Sequence, residues 1–478
     1  MNTSAPHPNP HIAAWRDALR TGERLLGVRA RLLGLPGWQV SVSVDGEPLG
    51  DIAGGLADVE TGRPMTPTTP LRVASQSKSF TATAVLQLAE QGRLRLHETV
   101  AEHIPELAGT ALADATLFEL LSHTSGASRD GADAVYFQLR RPFPDREELI
   151  ETARSAKTLE RHERLKYSNV GFALLGLVVE AASGRTFAEY LEEGILRPLG
   201  LEHTSAAMTG REDELATGYT GFGADLGDPL RRVPVDHVES RALASAGGVC
   251  STARDLCRFF SAHLPEAGER PRERVCGLLS EDSKRLSRRP VNTVRGRGYG
   301  LGLMTEEIEG RATIGHSGGY PGFISRTWAV PETGVVLSVC TNAADGPANE
   351  FGRTLFALAE LALAPADPSV RGLDASQLSR FEGEFADLWG RLHVARLGRN
   401  LYLLPAGQPV DSSAAPCAVR DSATLVDQDP TGFRGPGEPV RFEFDDDGRP
   451  RGLRTSEGMD LVRAEDFTLP ADRIRRQF

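Results

Sequence analysis

The first part of the chain has a helical pattern followed by a strand pattern. Residues 10–35 carry apolar residues at helical spacing and predict a helix. From Trp38 to Val44 apolar and polar residues alternate, and Asp45-Gly46 is a turn signal between two strands. The sequence therefore predicts an N-terminal helix and then a β-hairpin that returns as far as Ile52.

The middle of the chain predicts helices enclosed by strands. Since strands stand at both ends of this region, they can pair into one antiparallel sheet flanked by helices, with further helices forming a subdomain of their own. The predicted elements are helices at Ser75–Gln91, Thr116–Leu121 and Gly171–Ser183, strands at Ala312–Gly315, Ile324–Val330 and Val335–Cys340, and a helix at Asn349–Leu363.

The pattern changes after a linker at Ala364–Pro368. Short alternating runs separated by turn residues follow, for example at Leu401–Leu404 and Pro439–Phe444, and they predict a small all-β, barrel-like unit. The predicted fold class is α+β, with domains at residues 1–366 and 372–478.

Composition and charge narrow the classes of partner. The 478 residues carry 54 basic and 65 acidic side chains, a net charge of −11, which argues against nucleic acid or an anionic membrane as the main partner. The N-terminus shows no apolar stretch long enough for a signal or membrane helix, and the five cysteines form no disulfide framework. A cytoplasmic protein with free thiols is therefore expected.

Ser75-Gln-Ser-Lys78 is the first candidate for chemistry. Side chains three positions apart lie on the same face of a helix, so the Lys78 amine is expected beside the Ser75 hydroxyl, where it can take the proton from a nucleophile. A helix N-terminus also favours developing negative charge. The alternative is a surface lysine on a helix that Ser75 only caps.

Tyr167-Ser-Asn169 stands at the head of the apolar helix predicted at Gly171–Ser183. A phenol close to a lysine amine can be partly ionised and act as a general base, and Asn169 can orient the lysine and bind a substrate amide. The alternative is that Ser168 or Asn169 is simply a helix N-cap.

His316-Ser317-Gly318-Gly319 is predicted at the end of a strand and before a turn. Its glycines would let a substrate lie along the strand edge, and a backbone N–H there could form an oxyanion hole together with the N–H of Ser75. One alternative is a plain glycine turn. Another is a Gly-x-Ser-x-Gly nucleophile elbow with Ser317 as nucleophile and Asp345 and His393 as partners, which requires a helix directly after the motif.

These three elements in this order resemble the serine β-lactamase and penicillin-binding-protein superfamily. Further stretches resemble signatures of its esterase and class C β-lactamase branch, so the resemblance covers roughly residues 35–363. Those stretches are Leu120–Gly126, Tyr167–Gly176, Arg197–Thr204, Ala246–Leu256 and Tyr299–Leu303.

The resemblance implies a serine hydrolase with a β-lactamase-like fold and an acyl-enzyme on Ser75. It implies that Lys78 and Tyr167 relay protons, that the amides of Ser75 and Gly319 bind the oxyanion, and that Asn169 contacts substrate. It calls for no metal or organic cofactor, so resistance to chelators is expected. The implied partner is a small-molecule ester or peptide, or a carrier-bound acyl donor.

One departure from the superfamily pattern bears on the substrate. Where β-lactamases and carboxypeptidases of this superfamily usually carry Lys-Thr-Gly, the chain has His316-Ser317-Gly318, and a histidine is at best partly charged near neutral pH. The form with histidine resembles esterases, D-amino-acid peptidases and acyltransferases. The segment 372–478 resembles the lipocalin-like domain behind some D-aminopeptidases and peptide-cyclising thioesterases, where it either walls the active site or is purely structural.

Three functions follow as hypotheses. The first is hydrolysis of an ester or a D-amino-acid peptide. The second passes the same acyl group to an amine, as in the superfamily's stand-alone peptide cyclases. The third is a catalytically silent binding or scaffold protein, which the joint presence of Ser75, Lys78, Tyr167 and Asn169 disfavours.

Overall fold

The computed structural model describes residues 9–156, 159–208, 210–225, 227–228, 231–265, 277–294, 296–429 and 436–469. It divides into two compact units. One, here called the central unit, comprises Leu35–Gly352, and the other, the terminal unit, comprises Met1–Gly34 and Arg353–Phe478. The N-terminal helix thus belongs with the C-terminal strands, whereas the sequence grouped it with residues up to 366.

Most of the α-helices lie in the central unit between its first and last strands. No single helix in the described ranges is long and apolar enough to cross a membrane, although Asn169–Ser183 with Phe187–Leu199, bent by 77°, meets the length and composition requirement as a pair. The α-helices are α1 (Pro10–Leu32), α2 (Ser77–Glu90), α3 (Val100–His103), α4 (Leu117–Leu121), α5 (Arg146–Arg154), α6 (Asn169–Ser183), α7 (Phe187–Leu191), α8 (Arg197–Leu199), α9 (Ala244–Gly247), α10 (Ala253–Ser261), α11 (Glu281–Arg288), α12 (Ala348–Leu363) and α13 (Ala375–Ser379).

The strands of the central unit form one large antiparallel sheet and two small ribbons. The large sheet has the order β3-β2-β1-β13-β12-β11-β10-β9-β8, and the ribbons are β4-β7 and β5-β6. The strands are β1 (Gly37–Val44), β2 (Glu47–Asp58), β3 (Arg63–Pro64), β4 (Leu71–Arg72), β5 (Gly218–Tyr219), β6 (Pro234–Val235), β7 (Cys250–Ser251), β8 (Asn292–Val294), β9 (Arg297–Tyr299), β10 (Met304–Ile308), β11 (Arg311–Tyr320), β12 (Phe323–Val330) and β13 (Val335–Thr341).

The first and last strands of the central unit, β1 and β13, are neighbours in the large sheet. The two strands run antiparallel, with Val40 opposite Val339. Every residue of β1 is buried, although the sequence alternates, because α10 packs against it and the Ser43 hydroxyl meets Ser261 of α10 at 3.0 Å. The predicted antiparallel sheet flanked by helices is confirmed.

The helical part of the central unit is built around α2 and α6. Both are largely buried, and both pack against the short helix α9. The Thr81 hydroxyl of α2 donates to the Ser245 carbonyl of α9 at 2.7 Å, and the Ser245 hydroxyl donates to the Phe172 carbonyl of α6 at 3.0 Å. This junction fixes the relative positions of the three helices that carry the candidate catalytic groups.

The terminal unit contains an eight-stranded antiparallel sheet that is nearly closed. A bridge between Leu401 and Cys417 brings the two ends of the strand order together, and Phe385 and Phe442 pack edge to face in the interior. The predicted barrel-like domain is confirmed. Its strand order is β16-β15-β14-β21-β20-β19-β18-β17, with β14 (Gly383–Asp387), β15 (Gly390–Leu397), β16 (Asn400–Pro405), β17 (Ala418–Asp421), β18 (Thr424–Val426), β19 (Pro439–Phe444), β20 (Pro450–Arg454) and β21 (Asp460–Arg463).

Helix α1 is part of the terminal unit, and its apolar face packs on other elements of that unit. Trp15 on its buried face packs edge to face on Phe356 of α12, with ring centroids 5.1 Å apart, and the Arg20 guanidinium donates to the Arg396 carbonyl of β15.

The four cysteines that the structure describes are buried free thiols, as predicted, and Cys276 lies outside the described residues.

Candidate active site

Ser75 lies in a tight turn that leads into α2. The chain leaves β4, passes through a 3₁₀ turn at Ala74–Gln76 and becomes α-helical at Ser77, so the predicted start of the α-helix at Ser75 is two residues early. Ala74 has φ of 52°, a left-handed conformation that costs a non-glycine residue about 1–2 kcal/mol. Strain of this kind directly before a serine is typical of a functional position.

Lys78 is fully buried and points at Ser75. Its Nζ atom lies 3.2 Å from Ser75 Oγ, 2.7 Å from Asn169 Oδ1 and 2.6 Å from the Ala246 carbonyl oxygen. Burial lowers the pKa of Lys78 well below its usual 10.5, and the nearby Arg129 charge lowers it further. Once the amine has lost its proton it keeps two N–H groups for the two carbonyl acceptors, and its lone pair is then directed at the Ser75 hydroxyl.

Asn169 is held in one orientation by Asp130. Asn169 Nδ2 donates to Asp130 Oδ1 at 2.6 Å, and because a carboxylate only accepts, the amide oxygen must face Lys78. Asp130 in turn pairs with Arg129 at 3.1 Å. The N-cap of α6 is Ser168, whose hydroxyl accepts from the Gly171 N–H, so Asn169 itself is free for the site.

Tyr167 precedes α6, and the loop after α4 holds its backbone in place through His123. Lys78 Nζ lies 4.9 Å from the centre of the Tyr167 ring, and the phenol shares a hydrogen bond with the Ser75 hydroxyl. Burial raises the pKa of Tyr167 above its usual 10. The expectation of a partly ionised phenol is therefore wrong for the free protein, since desolvation outweighs the neighbouring charges, and the phenol is a proton donor.

His123 fixes the backbone next to Tyr167. Its Nδ1 atom accepts from the Ser168 N–H at 3.1 Å, so the proton of the neutral ring is on Nε2, which has no hydrogen-bond partner among the described residues. The imidazole also packs on Tyr167, with ring centroids 4.3 Å apart. His123 is therefore a positioning residue for the phenol.

The motif His316–Gly319 lies in the last half of β11, which ends at Tyr320 just before the turn at Pro321-Gly322, as predicted, although the strand extends past its predicted end at Gly315. Glycine is needed at Gly318, because a Cβ there would come 2.0 Å from the Val73 carbonyl oxygen, and this close approach brings the strand against the turn that carries Ser75. The plain glycine turn is therefore wrong. The nucleophile elbow is wrong as well, because β12 follows the motif where a helix is required, and His393 belongs to the terminal unit.

His316 is neutral in this site. Its Nδ1 donates to the Ser317 carbonyl at 2.6 Å, and its Nε2 accepts from the Tyr299 hydroxyl at 3.0 Å. Burial lowers the pKa of His316 to about 3, and the nearby Lys78 lowers it as well. At neutral pH the position that usually carries a lysine in this superfamily thus carries no charge.

Ser75 lies where two cavities meet, and Arg129 and Gly319 line both of them. The smaller, here called the aromatic cavity, has a volume of about 330 Å³ and apolar walls from Phe137, Phe143, Tyr320, Ala134 and Leu243. The larger cavity has a volume of about 600 Å³, and its walls include Tyr167, Arg297, Tyr299, Met304, His316 and Ser317.

The structure thus brings together the predicted residues Ser75, Lys78, Tyr167 and Asn169. His316, Ser317 and Gly319 line the adjoining cavities, whereas Gly318 packs on the backbone beneath them. Five further residues in the described ranges contact the site, and sequence reasoning gave none of them a role. Three of the five lie in the family signatures quoted above, and the other two lie in a loop that carried no sequence signal. The five are His123, Ala246 and Tyr299, and the loop residues Arg129 and Asp130.

We expect the central unit to lose stability steeply in mild acid. His123, His263 and His316 are buried, and burial lowers the pKa of each, to about 4 for His263 and about 3 for His316. The unfolded chain binds these protons near pH 6.5, so it carries up to three more protons than the folded state once the pH falls below that value. These three groups should therefore make the free energy of unfolding fall with pH by up to roughly 4 kcal/mol per pH unit, and the half-buried His237, whose pKa burial also lowers to about 4, adds to this fall.

Thermal unfolding followed by calorimetry at pH 7, 6 and 5 measures this loss. The matched variant is His263→Gln, because a glutamine can still bond Thr83 and the Phe259 carbonyl but takes up no proton. It should show a shallower fall than the wild type, by up to about one third. A midpoint that stays constant from pH 7 to pH 5 would contradict the expectation.

Comparison with known proteins gives the family. The profile of the family described as Beta-lactamase matches residues 28–362, which is more than half of the chain. The chain belongs to the β-lactamase family. The resemblance inferred from the sequence motifs is confirmed, and proteins of this family and its structural neighbours are mostly serine hydrolases.

Individual relatives agree with this placement. The chain is similar to penicillin-binding protein 4 of Amycolatopsis lactamdurans, with 30% identity over 377 residues, 73% of this chain and 89% of that protein. The octameric penicillin-binding protein homologue from Pyrococcus abyssi shares the fold, with a TM-score of 0.63, 23% identity and coverage of 93% and 100%.

A third relative also covers most of the chain. The structure of SurE matches with a TM-score of 0.60 and 27% identity, over 94% of this chain and 100% of that one. A second structure of SurE, with D-Leu, matches with a TM-score of 0.54 and 25% identity, over 94% and 99%.

Proposed function

We propose that the protein is a serine hydrolase that forms an acyl-enzyme on Ser75 and cleaves an ester or a D-amino-acid-containing peptide or amide. The observation that carries this proposal is the environment of Lys78. Burial favours loss of its proton, and the deprotonated amine bonds Asn169 and Ala246 through its two N–H groups and directs its lone pair at the Ser75 hydroxyl. A buried amine that loses its proton in this geometry is a general base for one particular serine.

The chemical step balances with the groups present. As Ser75 Oγ forms a bond to the acyl carbon, Lys78 takes the hydroxyl proton, and the carbonyl electron pair moves to the oxygen. The backbone N–H groups of Ser75 and Gly319 stabilise that oxyanion. The bond from the acyl carbon to the leaving group then breaks, and the leaving group takes a proton from Tyr167, which Lys78 replaces. Water reverses the sequence and releases the acid.

Tyr167→Phe should separate leaving groups that need a proton from those that do not. With an alkyl ester or an amide, loss of the phenol should slow acylation about 10²–10⁴-fold. With a p-nitrophenyl ester, whose phenolate leaves without protonation, the loss should be far smaller. Pre-steady-state acylation rates measure the difference.

A matched control for this substitution is Tyr320→Phe. Tyr320 also lies beside the site, but its hydroxyl donates to the Val238 carbonyl and not to a reacting group, so no dependence on the leaving group is expected. Equal losses of rate for both kinds of leaving group in Tyr167→Phe would contradict the proton-donor role.

Two observations favour the substrate class. His316 is neutral, so the site lacks the charge that β-lactamases and carboxypeptidases of this superfamily usually place there to bind a carboxylate. The relative SurE has a structure with D-Leu. An ester or a D-amino-acid derivative therefore fits this site better than a β-lactam carboxylate.

A second candidate function is transfer of the same acyl group to an amine. The larger cavity, with a volume of about 600 Å³, has room for an acceptor of peptide size beside Ser75. Product analysis with a peptidyl thioester separates the two functions, because a cyclic or amidated product supports transfer and free acid alone supports hydrolysis.

The experiment that tests the proposal is intact-protein mass spectrometry after incubation with a penicillin, a fluorophosphonate and a p-nitrophenyl ester. A single covalent adduct per protein molecule, mapped to Ser75, supports the proposed function. Folded protein that forms no adduct with any of the three would overturn it and favour a silent binding or scaffold protein.

A further inference from the structure

The aromatic cavity beside Ser75 is preformed. Phe143 stands between two other rings, edge to face with Phe137 at 5.3 Å and stacked with Tyr320 at 5.7 Å. On its other side Tyr320 is covered by the Arg72 guanidinium at 4.4 Å, and its hydroxyl donates to the Val238 carbonyl. Because these rings hold each other in place, a ligand entering the cavity does not have to order them.

Several polar groups of this cavity are already engaged with the protein. Asp130 accepts from Asn169 and pairs with Arg129, and the Ser240 hydroxyl accepts from Arg72. Asn169 is bound between Lys78 and Asp130. The cavity therefore offers a ligand the apolar surface of its rings and of Ala134 and Leu243, next to the exposed side chains of Arg129 and Gln138 that also line it.

The position of Tyr167 decides which part of a substrate each cavity binds. The phenol must lie next to the leaving group to protonate it, and Tyr167 lines the larger cavity but not the aromatic one. The leaving group therefore occupies the larger cavity. The acyl group, bonded to Ser75 Oγ after the leaving group has departed, extends to the Asn169 side, into the aromatic cavity.

We propose that the aromatic cavity binds the side chain of the acyl residue, and that the preferred acyl donor carries an aromatic or bulky apolar side chain there. This assignment rests on the proposed acyl-enzyme function. The volume of the aromatic cavity fits such a side chain. Because a cavity of about 150 Å³ already binds benzene, one of about 330 Å³ holds a phenyl or indole ring together with its Cβ and Cα.

The test compares acyl donors that differ only in the acyl side chain. Thioesters of acetylated phenylalanine, leucine and alanine with one common thiol are assayed in both enantiomers. In the enantiomer that reacts, kcat/KM for phenylalanine should exceed that for alanine by about 10–200-fold, with leucine between them. Equal values for the three donors would overturn the assignment.

Two substitutions in the cavity wall test the same assignment from the protein side. Ala134→Trp fills the cavity and should lower kcat/KM for the phenylalanine donor at least about tenfold more than kcat/KM for the alanine donor. Phe137→Ala, at a half-buried position, widens the cavity and should reduce the preference for phenylalanine. If neither variant changes the ratio of phenylalanine to alanine, the assignment is wrong.

A matched control is Leu177→Trp, which fills a separate cavity of about 260 Å³ in the same unit, whose lining does not include Ser75. It should leave the ratio of kcat/KM for phenylalanine to that for alanine unchanged.

Labelling of Ser75 by a small fluorophosphonate separates this inference from the proposed function. Normal labelling with no side-chain preference overturns the assignment alone. No labelling of folded wild-type protein overturns the proposed function, and the assignment with it.

Discussion

Ser75→Ala should abolish covalent labelling and lower turnover by at least about 10⁴-fold, the largest effect expected for any single substitution in this protein. The hydroxyl is the only part of the side chain that Lys78 and Tyr167 contact, so its loss removes the bond-forming atom while the turn before α2 is retained. Intact mass after incubation with a fluorophosphonate measures the adduct directly.

The control for this prediction is Ser317→Ala, because Ser317 is the serine that the nucleophile-elbow alternative would use. Ser317 lies in β11, where its hydroxyl donates to the Met304 sulfur at 3.6 Å and has no base within hydrogen-bonding distance among the described residues, so labelling should persist in this variant. An adduct that survives Ser75→Ala and disappears in Ser317→Ala would reverse the assignment of the nucleophile.

Lys78→Arg should be almost as damaging, with acylation slowed about 10³–10⁴-fold although arginine is also a long basic side chain. Arginine does not lose its proton in proteins, so it cannot present a lone pair to Ser75. In the wild type, the acylation rate should rise with pH as Lys78 loses its proton, at a pH well below 10.5 because burial lowers its pKa. Lys78→Arg should show no such rise.

The pH profile of single-turnover acylation measures both parts of this prediction. The matched control is Lys284→Arg, since Lys284 is also buried but pairs with Glu281 at 2.9 Å, away from the site. It should retain the wild-type rate and profile. A Lys78→Arg protein with a substantial rate and an unchanged profile would show that another group is the base.

Sequence patterns predicted the central strands of the large sheet, because long runs of alternating or helical periodicity report burial directly. Strands β12 and β13 and helix α6 lie within two residues of their predicted bounds. Short strands such as β9 and β17 were missed, since three or four residues carry too little periodicity and tertiary pairing decides their conformation.

The candidate site was predicted as far as its spacing motifs extend. The motifs supplied Ser75, Lys78 and Tyr167, but not Asp130, which lies in an irregular loop and reaches Asn169 only through the tertiary fold. The ionisation of Tyr167 could not be read from neighbouring residue types, because burial decides it. The cytoplasmic location, the small-molecule partner and the lack of a nucleic-acid or membrane partner stay predictions.

The terminal unit joins the first helix of the chain to its last strands, and this imposes an order on biosynthesis. About 350 residues separate the end of α1 from the start of β14, so at about 5–20 residues per second the helix waits roughly 20–70 s for the strands it packs against. During that time the part of α1 that packs on β15 has no partner, although α12, which carries the Phe356 partner of Trp15, is made earlier. A polypeptide ending at residue 366 would leave that part of the helix without its partner permanently, and uncovered surface of this kind promotes aggregation of nascent chains.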